Sequence, residues 1–268
     1  RENDLIQYPP QPLPATDYLV LESTYGDRLH EQVDAEQAIA DVINKTMSRG
    51  GIVLMPAFAV GRAQLALHII ERLKHQHRIP DVPIYLNSPM AIRATELFYN
   101  FHDLHKLSED DCHRIDEMTH YVKTVEESIA LNQRKYPAVI ISASGMASGG
   151  RVLHHLKTLL GDHKNSILFL GYQAAGTRGD SLTHGATSVK IHGQYVGVKA
   201  EVHNLDALSS HADYAEMTRW LEKMPSKPKQ VFITHGEASA SDCFRRHLKD
   251  RFGWQVDVPE YLDVALLD

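Results

Sequence analysis

Short apolar runs rich in β-branched residues alternate along this chain with segments of helical periodicity. The runs that read as buried strands lie at 18–21, 52–55, 83–86, 138–141 and 167–170. Helical patterns separate them, as at 61–76, where Leu65, Ile69 and Leu73 share one face. Parallel strands require crossover connections, so this alternation predicts an α/β fold whose mostly parallel sheet carries helices on both faces.

Capping residues predict where several helices begin. Ser88 precedes a proline, while Ser108 with Asp111 and Thr124 with Glu127 have the spacing of a capping box. Another helix is expected from about 31 to 49, with Val33 on its inner face. After short strands at 189–192 and 195–198 the pattern changes, which places a domain change near residue 209.

Composition narrows the class of protein. The chain has 28 Lys and Arg against 34 Asp and Glu, a net charge of −6, so a nucleic-acid site has to be a local patch. No apolar run approaches the about 18 residues of a transmembrane helix, so we expect no membrane association. Cys112 and Cys243 form no CxxC pair, which argues against a disulfide framework and a thiolate zinc site. We therefore expect a cytoplasmic protein.

Small and polar residues follow almost every predicted strand. In open α/β sheets ligands bind beyond the carboxyl ends of the strands, so these positions are the candidates for function. The segments concerned are 22–26, 56–58, 87–90, 142–146, 171–173 and 235–237.

The glycine-rich segment 142–151 joins a strand to a helix. Its backbone N–H groups could approach a phosphate at the positive end of the helix, although a tight strand–helix turn has the same composition. Arg62 could add a bidentate phosphate contact, whereas an arginine that begins a solvated helix is the more common case.

Glu22, His211 and His235 interrupt the apolar pattern abruptly. Glu22 ends a buried strand, where a carboxylate requires a partner such as a histidine. His235 ends another strand, and His211 lies between small residues just before a helix. For either histidine alone, a hydrogen-bonded structural role stays open. Three other histidine groups are discounted as metal sites. Those at 75 and 77 and at 154 and 155 would point in different directions, and those at 102, 105 and 113 could share a face but lie in a charged segment that favours a solvated surface.

Taken in order, these motifs resemble the β-CASP branch of the metallo-β-lactamase superfamily, which includes mRNA 3′-end-processing endonucleases and related bacterial and archaeal ribonucleases. The resemblance covers essentially the whole chain. It rests on Glu-Ser-Thr-Tyr-Gly at 22–26, Pro56 with Gly-Arg-Ala-Gln at 61–64, Ser-Pro-Met at 88–90, Ser-Gly-Met at 144–146, Gly-Gly-Arg at 149–151, Gly-Tyr-Gln at 171–173, Ser-His-Ala-Asp at 210–213 and His-Gly-Glu at 235–237.

The resemblance implies a domain organisation. Residues 27–208 would form the parallel-sheet β-CASP domain, 209–268 the C-terminal part of a metallo-β-lactamase αββα fold, and 1–26 a remnant of that second fold. RNA would lie in the cleft between the two domains. We expect RNA or phosphate contacts from Arg62, Ser88, Ser144, Gly145, Gly149, Gly150 and Ser210.

The same resemblance implies a mechanism. Glu22 and His211 would be catalytic, and His235 would be a zinc ligand. Two zinc ions in the complete enzyme would lower the pKa of a bridging water so that hydroxide attacks phosphorus, while protonated His211 steadies the developing charge or protonates the leaving oxygen. Position 235 is a histidine and not a valine, and in this respect the chain resembles the RNA-acting members of the family more than the DNA-acting members.

The chain departs from the family pattern in one respect, since the HxHxDH metal motif, the next histidine ligand and the bridging aspartate are not in it. We therefore expect part of a longer zinc-dependent ribonuclease, inactive alone, whose partners are RNA and the missing N-terminal segment, with a homodimer left open. The alternative is a non-catalytic RNA-binding or scaffold subunit of a processing complex. A small-molecule hydrolase of the same superfamily suits the large insert less well.

Overall fold

The computed structural model describes residues 1–268. Its strands are β1 (Tyr18–Glu22), β2 (Ile52–Pro56), β3 (Ile84–Leu86), β4 (Thr119–Tyr121), β5 (Ala138–Ser142), β6 (Ser166–Phe169), β7 (Ser188–Ile191), β8 (Gln194–Gly197), β9 (Glu201–Asn204), β10 (Gln230–Thr234) and β11 (Val256–Asp257). Its α-helices are α1 (Ala35–Ser48), α2 (Arg62–His75), α3 (Pro89–Asn100), α4 (Glu109–Met118), α5 (Val125–Asn132), α6 (Val152–Leu159), α7 (Arg178–Thr183), α8 (Tyr214–Leu221) and α9 (Ala238–Phe252).

The chain divides into two compact units. The larger unit consists of residues 5–7 and 32–208, and the smaller unit of residues 1–4, 8–31 and 209–268. Besides the short segment 5–7, the divisions fall after residues 31 and 208. The assignment of 27–208 to a β-CASP domain and of 1–26 and 209–268 to a metallo-β-lactamase fold stays a prediction. No helix combines the length and the apolar composition needed to cross a bilayer.

The larger unit is built on a six-stranded parallel sheet in the order β4-β3-β5-β2-β6-β9. Side chains alternate between its faces, so Val53 and Met55 of β2 enter one core with α1 and α2, while Ile52 and Leu54 enter the other with α6. Both faces are therefore covered, which confirms the predicted α/β class with helices on both sides. β7 and β8 form a separate antiparallel pair.

Three of the predicted helix starts agree with the structure, since Ser88, Ser108 and Thr124 cap α3, α4 and α5. The start of the first helix was predicted too early. Asp34 accepts a hydrogen bond from the Gln37 N–H at 2.9 Å, so α1 begins at residue 35. Val33 consequently lies before the helix and is exposed.

The smaller unit contains a three-stranded parallel sheet in the order β1-β10-β11. Leu19 and Leu21 of β1 and Val231 and Ile233 of β10 form a buried face with side chains of α8 and α9. The register pairs Glu22 with Thr234. The residues that follow β1 and β10 therefore leave the sheet next to each other.

Candidate catalytic site at the ends of β1 and β10

Glu22, His211 and His235 come together in the smaller unit although they are distant in sequence. One potential ligand atom from each lies within 4.8 Å of the other two. Glu22 and His235 meet because β1 and β10 are neighbours in register. His211 reaches them from the loop that precedes α8, whose N-terminal cap is Asp213.

The Glu22 carboxylate and the His211 ring form a direct pair, with Oε2 3.2 Å from Nδ1. The same oxygen accepts the Thr24 N–H at 2.9 Å. Burial acts to raise the pKa of Glu22, but the hydrogen bonds with His211 and Thr24 outweigh it and hold the pKa below its ordinary value. Glu22 is therefore a carboxylate at neutral pH and fixes the His211 ring through Nδ1.

Thr24 connects the two imidazoles and was not identified from the sequence. Its hydroxyl donates to the His235 carbonyl at 3.1 Å and lies 3.3 Å from Nδ1 of both His211 and His235. The two rings are stacked, with centroids 5.3 Å apart. The Nδ1 atoms thus face the protein, and Nε2 is the nitrogen that each ring can offer to a ligand. The sequence placed Thr24 within the candidate segment 22–26 but gave no sign of its individual role.

The loop after β10 makes a close backbone approach to the loop after β1. Ser23 donates its hydroxyl to the Thr234 carbonyl at 2.9 Å and lies 2.8 Å from the Ser241 hydroxyl. A Cβ atom on Gly236 would lie 2.4 Å from the Ser23 hydroxyl and 2.7 Å from its carbonyl. Glycine at 236 is therefore required for His235 to leave the strand at this point.

The donor set fits a zinc ion in chemical type, because zinc binds imidazole nitrogen and carboxylate oxygen. The site is also accessible: the side chains of His211 and Glu22 are 34% and 29% exposed, and His235 is exposed. His235 is the exposed member of the trio, whereas His211 and Glu22 are partly buried and paired with each other. This arrangement favours His235 as the residue that would hold a metal.

Four of the predicted RNA contacts lie on one loop of the larger unit, between β5 and α6. These are Ser144, Gly145, Gly149 and Gly150. A Cβ on Gly145 would lie 2.8 Å from the Phe58 ring, and Gly150 has a φ of 75° with its Cβ position 2.9 Å from the Ala143 carbonyl. Glycine is thus needed at both positions by the loop itself.

Ser88 lies on the neighbouring strand end, because β3 pairs with β5. Its hydroxyl is buried and accepts the Ala91 N–H at 3.2 Å. Arg62 is also buried, at 5% exposure, and donates to the Leu208 carbonyl. Both side chains are thus held by hydrogen bonds within the larger unit, and a contact of either with a phosphate stays a prediction. Ser210, in the smaller unit, is exposed and lines a cavity of about 300 Å³ together with Glu22.

Comparison with known protein families identifies two domains in this chain. Residues 63–182 match the Beta-Casp domain, and residues 195–259 match the Zn-dependent metallo-hydrolase RNA specificity domain. The chain belongs to the β-CASP family of the metallo-β-lactamase superfamily. The β-CASP match contains Ser88 and the loop that carries Ser144, while the second match contains His211 and His235.

Several curated relatives support this β-CASP assignment. Ribonuclease TTHA0252 of Thermus thermophilus is 38% identical over 246 residues, which is 88% of this chain and 55% of that protein. The RNase J-like protein of Methanocaldococcus jannaschii is 35% identical, over 85% of this chain and 54% of that protein. Transcription termination factor FttA of Thermococcus kodakarensis is 33% identical, over 95% of this chain and 41% of that protein. The chain thus spans about half the length of the curated relatives it matches.

Proposed function

We propose that the protein carrying this chain is a zinc-dependent ribonuclease that hydrolyses RNA phosphodiester bonds, with His211 as general acid and Glu22 as its partner. The observation that carries the proposal is the convergence of Glu22, His211 and His235 within 4.8 Å. The match of residues 195–259 to an RNA specificity domain, and a relative named as a ribonuclease, support RNA as the substrate.

The roles follow from the hydrogen bonds. Glu22 accepts Nδ1–H of His211, which leaves Nε2 as the ring nitrogen that would deliver a proton to the leaving oxygen. His235 would help to hold zinc. Zinc bound there would supply Lewis acidity, which makes a hydroxide nucleophile available near neutral pH. Thr24 keeps both rings in orientation through its hydroxyl.

RNA binding would also involve the larger unit. We propose that backbone groups of the loop containing Ser144, Gly145, Gly149 and Gly150 contact RNA phosphates, and that exposed Ser210 contributes from the smaller unit. Small residues allow a phosphate to approach backbone N–H groups closely. A backbone site of this kind also agrees with the net charge of −6, which supplies no general attraction for RNA.

The test uses the whole protein, supplied with zinc and a labelled single-stranded RNA. Wild type should cleave the RNA. His211→Ala should reduce the cleavage rate at least about 100-fold, the lower end of the range for general acid catalysis, with zinc content unchanged. His235→Ala should lower both zinc content and cleavage.

The matched control is His163→Ala, because the His163 side chain is 78% exposed and lies in the larger unit. That variant should cleave like wild type. Robust cleavage by His211→Ala would reject the assigned role. Wild-type protein that binds RNA and zinc without cleaving would instead support the alternative of a non-catalytic RNA-binding subunit.

A further inference from the structure

We propose that His30 is a positioning residue for His211: its buried imidazole donates Nε2–H to the His211 carbonyl and thereby fixes the backbone from which the acid projects. The proposal rests on the proposed function of His211. His30 lies outside the motifs that carry the family resemblance, between those at 22–26 and 61–64.

His30 is itself held firmly. It is 4% exposed, and its ring packs against the Tyr25 ring with centroids 4.3 Å apart. Its backbone N–H donates to Asp213 Oδ2 at 3.0 Å. Tyr25 is also buried, and its carbonyl accepts the Tyr214 N–H at 3.1 Å. The segment after β1 therefore returns to the start of α8 and places the His30 ring beside the loop that carries His211.

The loop around His211 is anchored at both ends by other groups. The His211 N–H donates to the Ser209 hydroxyl at 3.2 Å. At the far end, Asp213 and Glu216 form a reciprocal capping box, with distances of 3.0 and 2.8 Å. Between these anchors, the His211 carbonyl accepts from His30 Nε2 at 2.9 Å. His30 is thus the side chain that holds the carbonyl of the catalytic residue.

Glu216 is a second acceptor near the His30 ring, but a more distant one. Its carboxylate lies 4.0 Å from His30 Nε2 and is bound by Arg1 Nε at 3.1 Å. The shorter contact is therefore the one to the His211 carbonyl. Since Nε2 has to carry a proton to donate to a carbonyl, the role of His30 is that of a donor.

The His211 side chain and backbone are held by different groups. Glu22 contacts the ring at Nδ1, and His30 holds the backbone carbonyl. Loss of the second bond leaves the carbonyl between the Ser209 and Asp213 anchors without this donor, so the backbone that carries the ring can shift. Displacement of a catalytic group by about 1 Å can reduce a rate roughly 100-fold. We therefore expect a reduction of roughly 10- to 100-fold in kcat when the donor is lost.

Three substitutions of His30 distinguish the effect of losing the hydrogen-bond donor from the effect of losing the aromatic ring. His30→Phe keeps a ring against Tyr25 but removes the donor. His30→Gln places an amide N–H near the position of Nε2, whereas His30→Asn carries the same amide too close to the backbone to reach the carbonyl. The matched control is His247→Phe, since His247 is also a histidine of the smaller unit but contacts Thr218, at 2.9 Å from Nε2, and the rings of Tyr214 and Phe244.

The first measurement is cleavage of RNA by the whole protein. We expect His30→Phe and His30→Asn to lower kcat with KM and zinc content unchanged, and His30→Gln to restore most of kcat. His247→Phe should leave kcat as in wild type. Equal kcat for the Gln and Asn variants, or a kcat of His30→Phe equal to that of wild type, would overturn the proposal. The Gln and Asn pair decides the question if the Phe variant does not fold.

The second measurement does not need activity. The amide ¹⁵N shift of Ala212 reports the hydrogen bond to the preceding carbonyl, that of His211, in zinc-free protein. The Ala212 ¹⁵N shift should differ from wild type in His30→Phe and His30→Asn. It should be close to the wild-type value in His30→Gln and in His247→Phe. An unchanged Ala212 shift in the Phe and Asn variants would overturn the proposal. If wild type does not cleave RNA, the proposed function fails while this shift still tests the role of His30.

Discussion

His155 is a buried histidine of the larger unit whose hydrogen bonds require the uncharged ring. Arg151 donates to Asn87 Oδ1 at 2.9 Å, which turns the Asn87 amide nitrogen toward His155 Nε2, 2.7 Å away. Nε2 therefore accepts, and Nδ1–H donates to Asn132 Oδ1 at 2.6 Å. A second ring proton would face an N–H donor. Burial, followed by the nearby charges of His154 and Arg151, lowers the pKa of His155 from 6.5 to about 4.

This lowered pKa predicts a loss of stability in mild acid. The unfolded chain takes up a proton at His155 near pH 6.5, but the folded chain does so only near pH 4. The contribution is therefore present above pH 6.5 and is lost as the pH falls to about 4. The full difference is about 3 kcal/mol, at about 1.4 kcal/mol for each pH unit. Linkage gives about 2 kcal/mol of that loss between pH 7 and pH 5.

The perturbation that isolates this effect is His155→Gln, which removes the titrating group and keeps hydrogen-bonding capacity. Urea unfolding followed by circular dichroism at pH 7 and pH 5 should show a loss of stability about 2 kcal/mol larger in wild type than in the variant. Contributions of the other histidines cancel in that difference. The control is His163→Gln, whose exposed side chain should leave the wild-type loss unchanged. Parallel pH profiles of wild type and His155→Gln, or a His155 NMR resonance that titrates near pH 6.5, would refute the reasoning.

Three further substitutions test other parts of the structure. Gly236→Ala would place a methyl group 2.4 Å from the Ser23 hydroxyl, and we expect urea unfolding to show a loss of about 1–3 kcal/mol; unchanged stability would contradict the close approach. Thr24→Val removes the buried hydroxyl between the site imidazoles, so it should cost about 1–3 kcal/mol in the same assay and slow RNA cleavage by the whole protein; wild-type cleavage would count against that role. A hydrogen bond from Arg49, opposed by burial, lowers the pKa of Glu201 to about 2; Glu201→Gln should therefore lose less stability than wild type between pH 4.5 and pH 3, and equal losses would contradict the ion pair.

The class of the larger unit could be predicted because its strands are buried on both faces. β2 and β5 each begin with a continuous run of four apolar residues and lie in the middle of the sheet, where no polar alternation is required. The edge strand β4 could not be predicted, because it lacks such an apolar run. Its Thr-His-Tyr sequence contains no apolar run, and it exists because it pairs with β3. The apolar pattern of the sequence thus identifies the central strands of the sheet. An edge strand such as β4 forms through its hydrogen bonds with the neighbouring strand.

Candidate site residues could be found where a side chain breaks the pattern of its own segment. Glu22 and His235 do so as polar ends of apolar strands. His30 and Thr24 could not be found in this way, because their importance lies in contacts across the fold: His30 with the His211 carbonyl, and Thr24 with both histidine rings. Arg62 illustrates the opposite case. It is a charged residue at the start of a helix, yet it is buried and donates to the backbone carbonyl of Leu208.

Strand register decides which polar strand ends become one site. Leu19 and Leu21 face the same core as Val231 and Ile233, and the resulting pairing sets Glu22 beside Thr234. A slip of one residue in β10 would turn its apolar side chains to the opposite face, so the alternate register is excluded by burial. His235 must then follow directly beside Glu22. The approach of this carboxylate and this imidazole is therefore a consequence of the apolar pattern of two five-residue strands.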